Sequence, residues 1–225
     1  MAGERSSGTG RLLTGVAWAV LLVGLWLWGK DVTSGPFGTG APTTGDVAAV
    51  GRPVLGIALP DPHDPIGPAR PSRVEFPSIG VTAPVVARGL DGDGAVDPPP
   101  FDTPQTVGWY ERGAQPGEDG AALLVGHVDT RTKPAVFYGL SSARPGDKVN
   151  VSRADGKVTE FTVEDVQVVD RDAFDAKKVY GQHRPGRAEL RLITCGGTFD
   201  KEAGAYTANV VVSAYLTDVH KPSAA

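Results

Sequence analysis

The stretch Leu192-Ile193-Thr194-Cys195-Gly196-Gly197 ends an apolar strand pattern on the only cysteine of the 225-residue chain. The two glycines that follow let neighbouring backbone approach closely and leave the thiol unshielded. A single cysteine can form neither an internal disulfide nor a zinc site. Free cysteine is also well suited to act as a small buried apolar residue. The motif therefore leaves two interpretations open, an inert core residue and a reactive thiol at the mouth of a β-strand.

The strand pattern that precedes this cysteine recurs along the chain after Arg70. No 3.6-residue period is sustained, and only residues 135–140 suggest a short helix. The 30 glycines and 19 prolines supply frequent turns between the strands. A mainly β fold, built as a closed or nearly closed β-barrel, is therefore predicted. The strand candidates are residues 74–76, 82–86, 121–128, 148–152, 158–163, 166–169, 189–194 and 209–215.

The N-terminal residues 12–28 are uncharged and mostly apolar. The length of this run is at the short end of what a transmembrane helix needs. Arg5 and Arg11 precede them, so the positive-inside rule places the N-terminus in the cytoplasm and the rest outside. A cleaved signal peptide is the competing interpretation, but no Ala-x-Ala site follows promptly. The predicted segments are a cytoplasmic N-terminus (1–11), a transmembrane anchor (12–28), a flexible Gly/Pro/Thr-rich linker (29–70), a β-barrel domain (71–220) and a C-terminal tail (221–225).

Charge and ligand spacing argue against several classes of function. The formal net charge of −4 gives no general basic character that would favour nucleic acid. Residues 61–65 contain Asp and His side chains, but two prolines break any regular ligand geometry. The acidic turn at residues 91–93 lacks the spacing of an EF-hand loop. We therefore expect no metal site, no cofactor and no nucleic-acid partner.

A second candidate for chemistry, His127, follows the apolar run Leu123-Leu124-Val125-Gly126. A polar imidazole there needs a hydrogen-bond partner or exposure at a strand end, and a structural histidine is the simpler interpretation. Both His127 and Cys195 are nevertheless predicted at strand mouths, where barrels commonly place functional groups. A cysteine nucleophile needs a base or positive group to form its thiolate, and donors for the oxyanion. His127 can supply the acid and base, and an arginine can stabilise the oxyanion.

Three motifs in this order resemble those of the sortase family. Residues 76–85, Phe-Pro-x-Ile-Gly-Val-x-Ala-Pro-Val, resemble its opening strands. Gly126-His127-Val128-Asp129 resembles its histidine motif, and Leu192-Ile193-Thr194-Cys195 resembles its cysteine motif. The resemblance covers roughly Ser72 to Leu216. Further similarity to the actinobacterial class F branch lies in Gly196-Gly197, Asp97-Pro98-Pro99 and Trp109-Tyr110.

The resemblance implies an anchored, eight-stranded β-barrel with short helices, and a single-pass protein of the cell membrane with its catalytic domain outside. It implies a cysteine transpeptidase that cleaves a Leu-Pro-x-Thr-Gly-like sorting signal through a thioacyl intermediate on Cys195. The partners would be surface proteins that bear the signal, and an amine acceptor such as a peptidoglycan precursor or a pilin lysine. His127 would protonate the leaving amine and later deprotonate the incoming one.

The third catalytic residue is where the chain departs from the family pattern. Many sortases carry an arginine on the strand after the cysteine, and Asn209 falls at about that place here. Arg191 shares a sheet face with Cys195 by period-2 alternation, about 13 Å away along the strand. We expect Arg191 to be the oxyanion donor, with Asn209 as the alternative. Thr194 and Gly196, which flank the cysteine, are predicted to contact the substrate.

Other functions fit the sequence less well. Papain-like and NlpC-type peptidases place the cysteine before the histidine and on a helix N-terminus, whereas Cys195 follows His127 and ends a strand. L,D-transpeptidases need a Ser-x-Gly-Cys-type sequence, which we do not find. The non-enzyme alternative is a tethered extracytoplasmic β-barrel binding module whose cysteine is inert.

Overall fold

The computed structural model describes residues 58–92, 94–202 and 204–222. The predicted cytoplasmic segment (1–11), the transmembrane anchor (12–28) and most of the linker lie outside the described residues. Within the described ranges, no helix is both long and apolar enough to cross a bilayer.

The predicted barrel of eight strands is confirmed. The strands are β1 Pro71–Phe76, β2 Val81–Arg88, β3 Val107–Tyr110, β4 Gly120–Val125, β5 Lys148–Arg153, β6 Val158–Asp170, β7 Ala188–Asp200 and β8 Ala205–His220. They close in the order β1-β2-β3-β4-β7-β8-β6-β5. Two neighbouring pairs, β2 with β3 and β4 with β7, are parallel, and the other pairs are antiparallel.

Alternation along β7 separates an inner face from an outer face. Leu190 and Leu192 are fully buried in the barrel interior, while Arg191, Ile193 and Cys195 point the other way. Full burial of each large apolar side chain stabilises the fold by roughly 1.5–3 kcal/mol relative to exposure. Every strand contributes to this interior, for example through Val74, Ala83, Val107, Leu124, Val149, Phe161, Leu192 and Val212.

The strand β6 is continuous where the sequence predicted two strands, 158–163 and 166–169. Its pairing with β8 shifts register between Val163 and Asp165, which marks a β-bulge. The bulge places Glu164 outside the regular alternation. The break in the hydrophobic pattern was therefore a local irregularity within one strand.

The helix predicted at residues 135–140 is wrong. Residues 136–139 form turns, and a short 3-10 helix follows at Leu140–Ser142. Val136 and Phe137 pack into the barrel core, and the N–H of Phe137 donates to the carbonyl of His127 at 3.0 Å. Tertiary contacts with the histidine segment thus hold this apolar stretch as a loop.

A second apolar cluster covers the outer face of β4, β7 and β8. One of its members, Val179, comes from the only α-helix of the described residues, α1 at Ala176–Tyr180. The side chain of Asp175 caps this helix by accepting from the N–H groups of Lys177 and Lys178. The cluster packs around the row of β7 side chains that ends at Cys195, and it consists of Val96, Leu123, Val125, Val179, Ile193 and Val211.

The last part of the predicted flexible linker, residues 58–70, lies against the barrel. The hydroxyl of Tyr215 donates to the Pro60 carbonyl at 2.6 Å. The guanidinium of Arg153, which is buried, donates to the Gly67 carbonyl at 2.6 Å. Composition alone did not predict this attachment, because it depends on donors that belong to the barrel.

Glu189 is a fully buried anion on the outer face of β7. Its carboxylate accepts from Arg191 Nη2 at 2.5 Å and from Arg187 Nη2 at 2.7 Å. The N–H of His183 donates to it at 2.8 Å. Burial acts to raise the pKa of Glu189, but the hydrogen bonds from His183, Arg191 and Arg187 outweigh burial and hold that pKa below its ordinary value.

We expect Glu189→Gln to lower the free energy of unfolding by about 3 kcal/mol at neutral pH, because it leaves the buried Arg191 without its anion. The pKa of Glu189 is lowered on folding, so its stabilisation is present above the ordinary carboxyl pKa. That stabilisation is lost as the pH falls through the lowered value, and the variant and the parent should converge in acid.

Urea denaturation at neutral and acidic pH measures this difference. Glu160→Gln is the matched control, because Glu160 pairs with Lys148 at 2.8 Å in a partly exposed bridge. Its loss should cost less than about 1 kcal/mol. Equal losses in the two variants would contradict the structural role of Glu189.

Candidate active site

The parallel pairing of β4 with β7 sets His127 and Cys195 at one end of the barrel. Val125, the last residue of β4, pairs with Ile193. The N–H of Gly126 extends this ladder by donating to the Ile193 carbonyl at 3.1 Å. His127 and Cys195 each follow the Val125–Ile193 pair by two residues. The register therefore brings these two predicted site residues to the same level of adjacent strands. His127 lies just after the end of β4, whereas Cys195 lies within β7, which continues to Asp200, so the prediction that Cys195 ends its strand is wrong.

A β-bulge follows Cys195 directly. The pairing of β7 with β8 shifts register between Gly196 and Phe199. Gly197 has a φ of 77°, in the left-handed region that favours glycine, and a Cβ there would lie 2.5 Å from Thr207 Oγ1. Bulges re-aim neighbouring side chains, and the Cys195 side chain is exposed. This exposure does not fit an inert core cysteine.

The electrostatic surroundings of Cys195 keep it protonated at rest. Although the side chain is accessible, neighbouring protein shields the sulfur enough from water to raise the pKa of the thiol. The charge of Arg171 acts to lower that pKa, and the charge of Asp129 acts to raise it. Formation of the thiolate near neutral pH therefore requires a base or additional positive charge.

His127 is buried under a proline-rich segment. Its Nε2 lies 2.6 Å from the carbonyl oxygen of Pro99, which can only accept, so Nε2 donates and carries the proton. Nδ1 is then the nitrogen that can exchange a proton. The ring stacks on Phe101 with centroids 4.1 Å apart. No hydrogen bond among the described residues joins His127 to the Cys195 thiol, and such bonds often form only with substrate bound.

Gly126 allows the loop of residues 136–139 to close against the histidine segment. A Cβ on Gly126 would lie 2.6 Å from Val136 Cγ1 and 2.7 Å from Phe137 Cδ2. Phe137 is fully buried and bonds to the His127 carbonyl. The close packing that requires glycine here thus fixes the backbone that carries the imidazole.

Of the two oxyanion candidates, Asn209 lies beside Cys195, whereas Arg191 is engaged with Glu189. Asn209 is the direct cross-strand partner of Cys195 and shares its sheet face. Arg191 is fully buried, and its Nη2 donates to Glu189 and to the Gly181 carbonyl. The structure therefore gives Arg191 a buried structural contact, and its role at the oxyanion stays a prediction.

Thr194 and Gly196, the predicted substrate contacts, lie on the inner side of the strand end. Thr194 is buried on the sheet face opposite to Cys195, and its Oγ1 has no hydrogen-bond partner among the described residues. A Cβ on Gly196 would lie 2.6 Å from Val210 Cγ2, so this glycine serves close packing of β8. Contact of either residue with substrate stays a prediction.

Several polar neighbours of the site were missed from the sequence. The hydroxyl of Tyr206 donates to Asp129 Oδ2 at 2.5 Å, across 77 residues of sequence. This hydrogen bond is the main cause that raises the pKa of Tyr206 to about 12. Asp129 thus contacts Tyr206 and has no described hydrogen bond with His127. Nothing in the sequence pointed to Arg171 either. The segment that contacts His127 through Pro99 and Phe101 was marked as unusual only by its run of prolines.

The sortase domain family model matches residues 74–217. Sortase D of Bacillus subtilis (strain 168) is 30% identical over 122 residues, which is 54% of this chain and 52% of that protein. The chain therefore spans about half the length of that curated relative.

Solved structures show the same fold. Sortase A of Listeria monocytogenes is 19% identical with a TM-score of 0.51, over 69% of this chain and 92% of that chain. Sortase C-1 of Actinomyces oris is 24% identical with a TM-score of 0.50, over 68% of this chain and 74% of that chain. At these identities the likeness is one of fold alone. The family match covers nearly the whole barrel, from β1 to β8, and this chain belongs to the sortase family.

Proposed function

We propose that the chain is a membrane-anchored cysteine transpeptidase that cleaves a Leu-Pro-x-Thr-Gly-like sorting signal. The observation that supports this most strongly is an exposed Cys195, level with His127 across the parallel pairing of β4 and β7, in a sortase-family barrel. The alternative, a binding module with an inert cysteine, requires neither the exposure of the thiol nor the bulge beside it.

In the first half-reaction the sulfur of Cys195 attacks the carbonyl carbon of the substrate threonine. The bond from that carbon to the glycine nitrogen breaks, and a thioester to Cys195 remains. The leaving amine takes a proton from His127, whose Nδ1 is the exchanging nitrogen. Because its raised pKa keeps Cys195 a thiol at rest, the thiol proton passes to Nδ1 of His127 before or during the attack, and this is the proton that the leaving amine takes.

In the second half-reaction an amine attacks the thioester carbon, and the carbon–sulfur bond breaks as the new amide forms. His127 accepts the proton that the amine loses, and the Cys195 sulfur leaves as a thiolate. We propose sorting-signal-bearing surface proteins as donors, and a peptidoglycan precursor or a pilin lysine as the amine. The product is a surface protein joined to the cell wall or to a pilus.

We propose Asn209, in preference to Arg191, as the side chain that donates to the oxyanion of the tetrahedral intermediate. Asn209 lies directly across from Cys195 on the same face and has amide donors. Nη2 of Arg191 donates to Glu189 and to the Gly181 carbonyl. Moving this group to the substrate would take one arginine partner from a buried carboxylate.

We further propose that the chain belongs to the class F branch of the family. The support is the sequence Gly196-Gly197, together with Asp97-Pro98-Pro99 and Trp109-Tyr110. A sequence tree that groups the chain with another sortase class would contradict this assignment.

Removal of either member of the proposed pair should abolish or slow transfer. We expect Cys195→Ala to leave less than about one per cent of the wild-type rate with an intact fold. We expect His127→Ala to cost roughly 10²-fold or more in acyl transfer. The full chain is incubated with Leu-Pro-x-Thr-Gly variants and an amine, and the thioacyl form is trapped for mass spectrometry. Transfer by Cys195→Ala at a substantial rate would overturn the assignment of the nucleophile.

Replacement of the two oxyanion candidates should separate chemistry from stability. Under single-turnover conditions, we expect Asn209→Ala to slow thioacyl formation by about 10²-fold, because one oxyanion donor is lost. Arg191→Ala should instead lower the thermal midpoint measured by circular dichroism. A folded Arg191→Ala variant with a slow chemical step, beside a normal Asn209→Ala variant, would restore Arg191 as the donor.

We propose that residues 12–28 remain as the anchor, with the barrel outside the membrane. The support is the uncharged run and the arginines that precede it. Protease added to intact protoplasts should then remove the barrel. A mature N-terminus beyond residue 28 would contradict the uncleaved anchor.

A further inference from the structure

We propose that Arg171, just after the end of β6, supplies the fixed positive charge for the Cys195 thiolate. The strand that follows the cysteine, β8, contains no lysine or arginine. A cysteine that is a thiol at rest needs such a charge or a base nearby. This inference rests on the proposed cysteine chemistry and adds to it a positioning residue from a different strand.

The register of three strands relates Arg171 to Cys195. Cys195 pairs with Asn209 across β7 and β8, and Asn209 pairs with Val169 across β8 and β6. Cross-strand partners share a face, so these three side chains form one row on the outside of the barrel. Arg171 lies two residues beyond Val169, at the first position of a short 3-10 helix, Arg171–Ala173, that follows the end of β6 at Asp170. It is exposed at the end of the strand that carries this row.

The separation suits a long side chain. Neighbouring strands lie about 4.8 Å apart, so the backbones of Cys195 and Val169 are roughly 10 Å apart. Asn209, between them, has a short and neutral side chain. The guanidinium of Arg171 stands on a long flexible stem and can extend over Asn209 toward the sulfur.

The guanidinium of Arg171 is also free to act on the thiol. The residue is exposed, and its guanidinium has no hydrogen-bond or ion-pair partner among the described residues. Its charge acts to lower the pKa of Cys195, against the larger effect of burial, which raises it. Arg191, which shares this outer face, is buried against Glu189 and is not among the charges that shift the pKa of Cys195.

The remaining charged and titratable groups around the thiol do not replace Arg171. Asp129 opposes the thiolate, and the Tyr206 hydroxyl already donates to its carboxylate. Asp170 and Asp172 flank Arg171 in sequence and are exposed. His127 is a base that must change protonation during the reaction, whereas a guanidinium stays charged throughout.

The test compares Arg171→Ala and Arg171→Lys with Arg73→Ala, a control that removes an exposed arginine from β1. The rate of alkylation by iodoacetamide is measured on the full chain from about pH 6 to about pH 10, which spans ordinary cysteine titration. We expect Arg171→Ala to move the midpoint upward by about half a pH unit or more. Arg171→Lys should keep most of the wild-type midpoint, and Arg73→Ala all of it.

Thioacyl formation with the Leu-Pro-x-Thr-Gly peptides is measured on the same variants. We expect Arg171→Ala to lower kcat about 10-fold or more with a smaller effect on KM, since the thiolate is the attacking species. An Arg171→Ala variant with the wild-type alkylation midpoint overturns the inference, and a rise in KM alone would make Arg171 a peptide-docking residue.

The alkylation measurement does not depend on turnover, so the two proposals can fail separately. If the wild type forms no thioacyl product but Arg171→Ala still shifts the midpoint, the proposed function fails and the pairing of Arg171 with Cys195 stands. If the wild type turns over and Arg171→Ala matches it in both measurements, the pairing fails and the proposed function stands.

Discussion

The parallel pairing of β4 with β7 is the constraint on which the candidate site depends. Because Val125 pairs with Ile193, the residues two positions later, His127 and Cys195, leave the barrel at the same level. A slip of one residue would reverse the faces of β7. It would turn the thiol into the barrel and place Thr194 outside. The buried side chains on the inner face of β7 therefore hold the thiol in position from the opposite side of the sheet.

The outer face of β7 changes in character along its length. It begins with the buried ion pair of Glu189 and Arg191, continues with Ile193 in an apolar cluster, and ends at the exposed Cys195. The rigid contacts are thus concentrated away from the reactive end. A binding site needs local freedom that a tightly packed core does not allow. The glycines after Cys195 let β7 bulge while it packs closely on β8.

The sequence predicted those features that follow from local periodicity. Alternation identified most of the strands, and an abrupt polar residue after an apolar run identified His127 and Cys195. Features that depend on pairing between distant segments could not be read in the same way. Arg171 is related to Cys195 only through two intervening strand pairings, and Arg191 shared the correct face but is held by Glu189. The apolar residues 135–140 had a helix-like composition, whereas packing against Gly126 holds them in turns.

The attachment of residues 58–70 means that the folding unit is longer than its family signature. The matched domain runs from residue 74 to 217. The carbonyls of Pro60 and Gly67, which accept from Tyr215 and Arg153, lie upstream of that boundary. A chain shortened to the signature would retain the buried Arg153 guanidinium but lose one of its acceptors. A stable fragment therefore needs to begin before Pro60, within the stretch that composition marks as a tether.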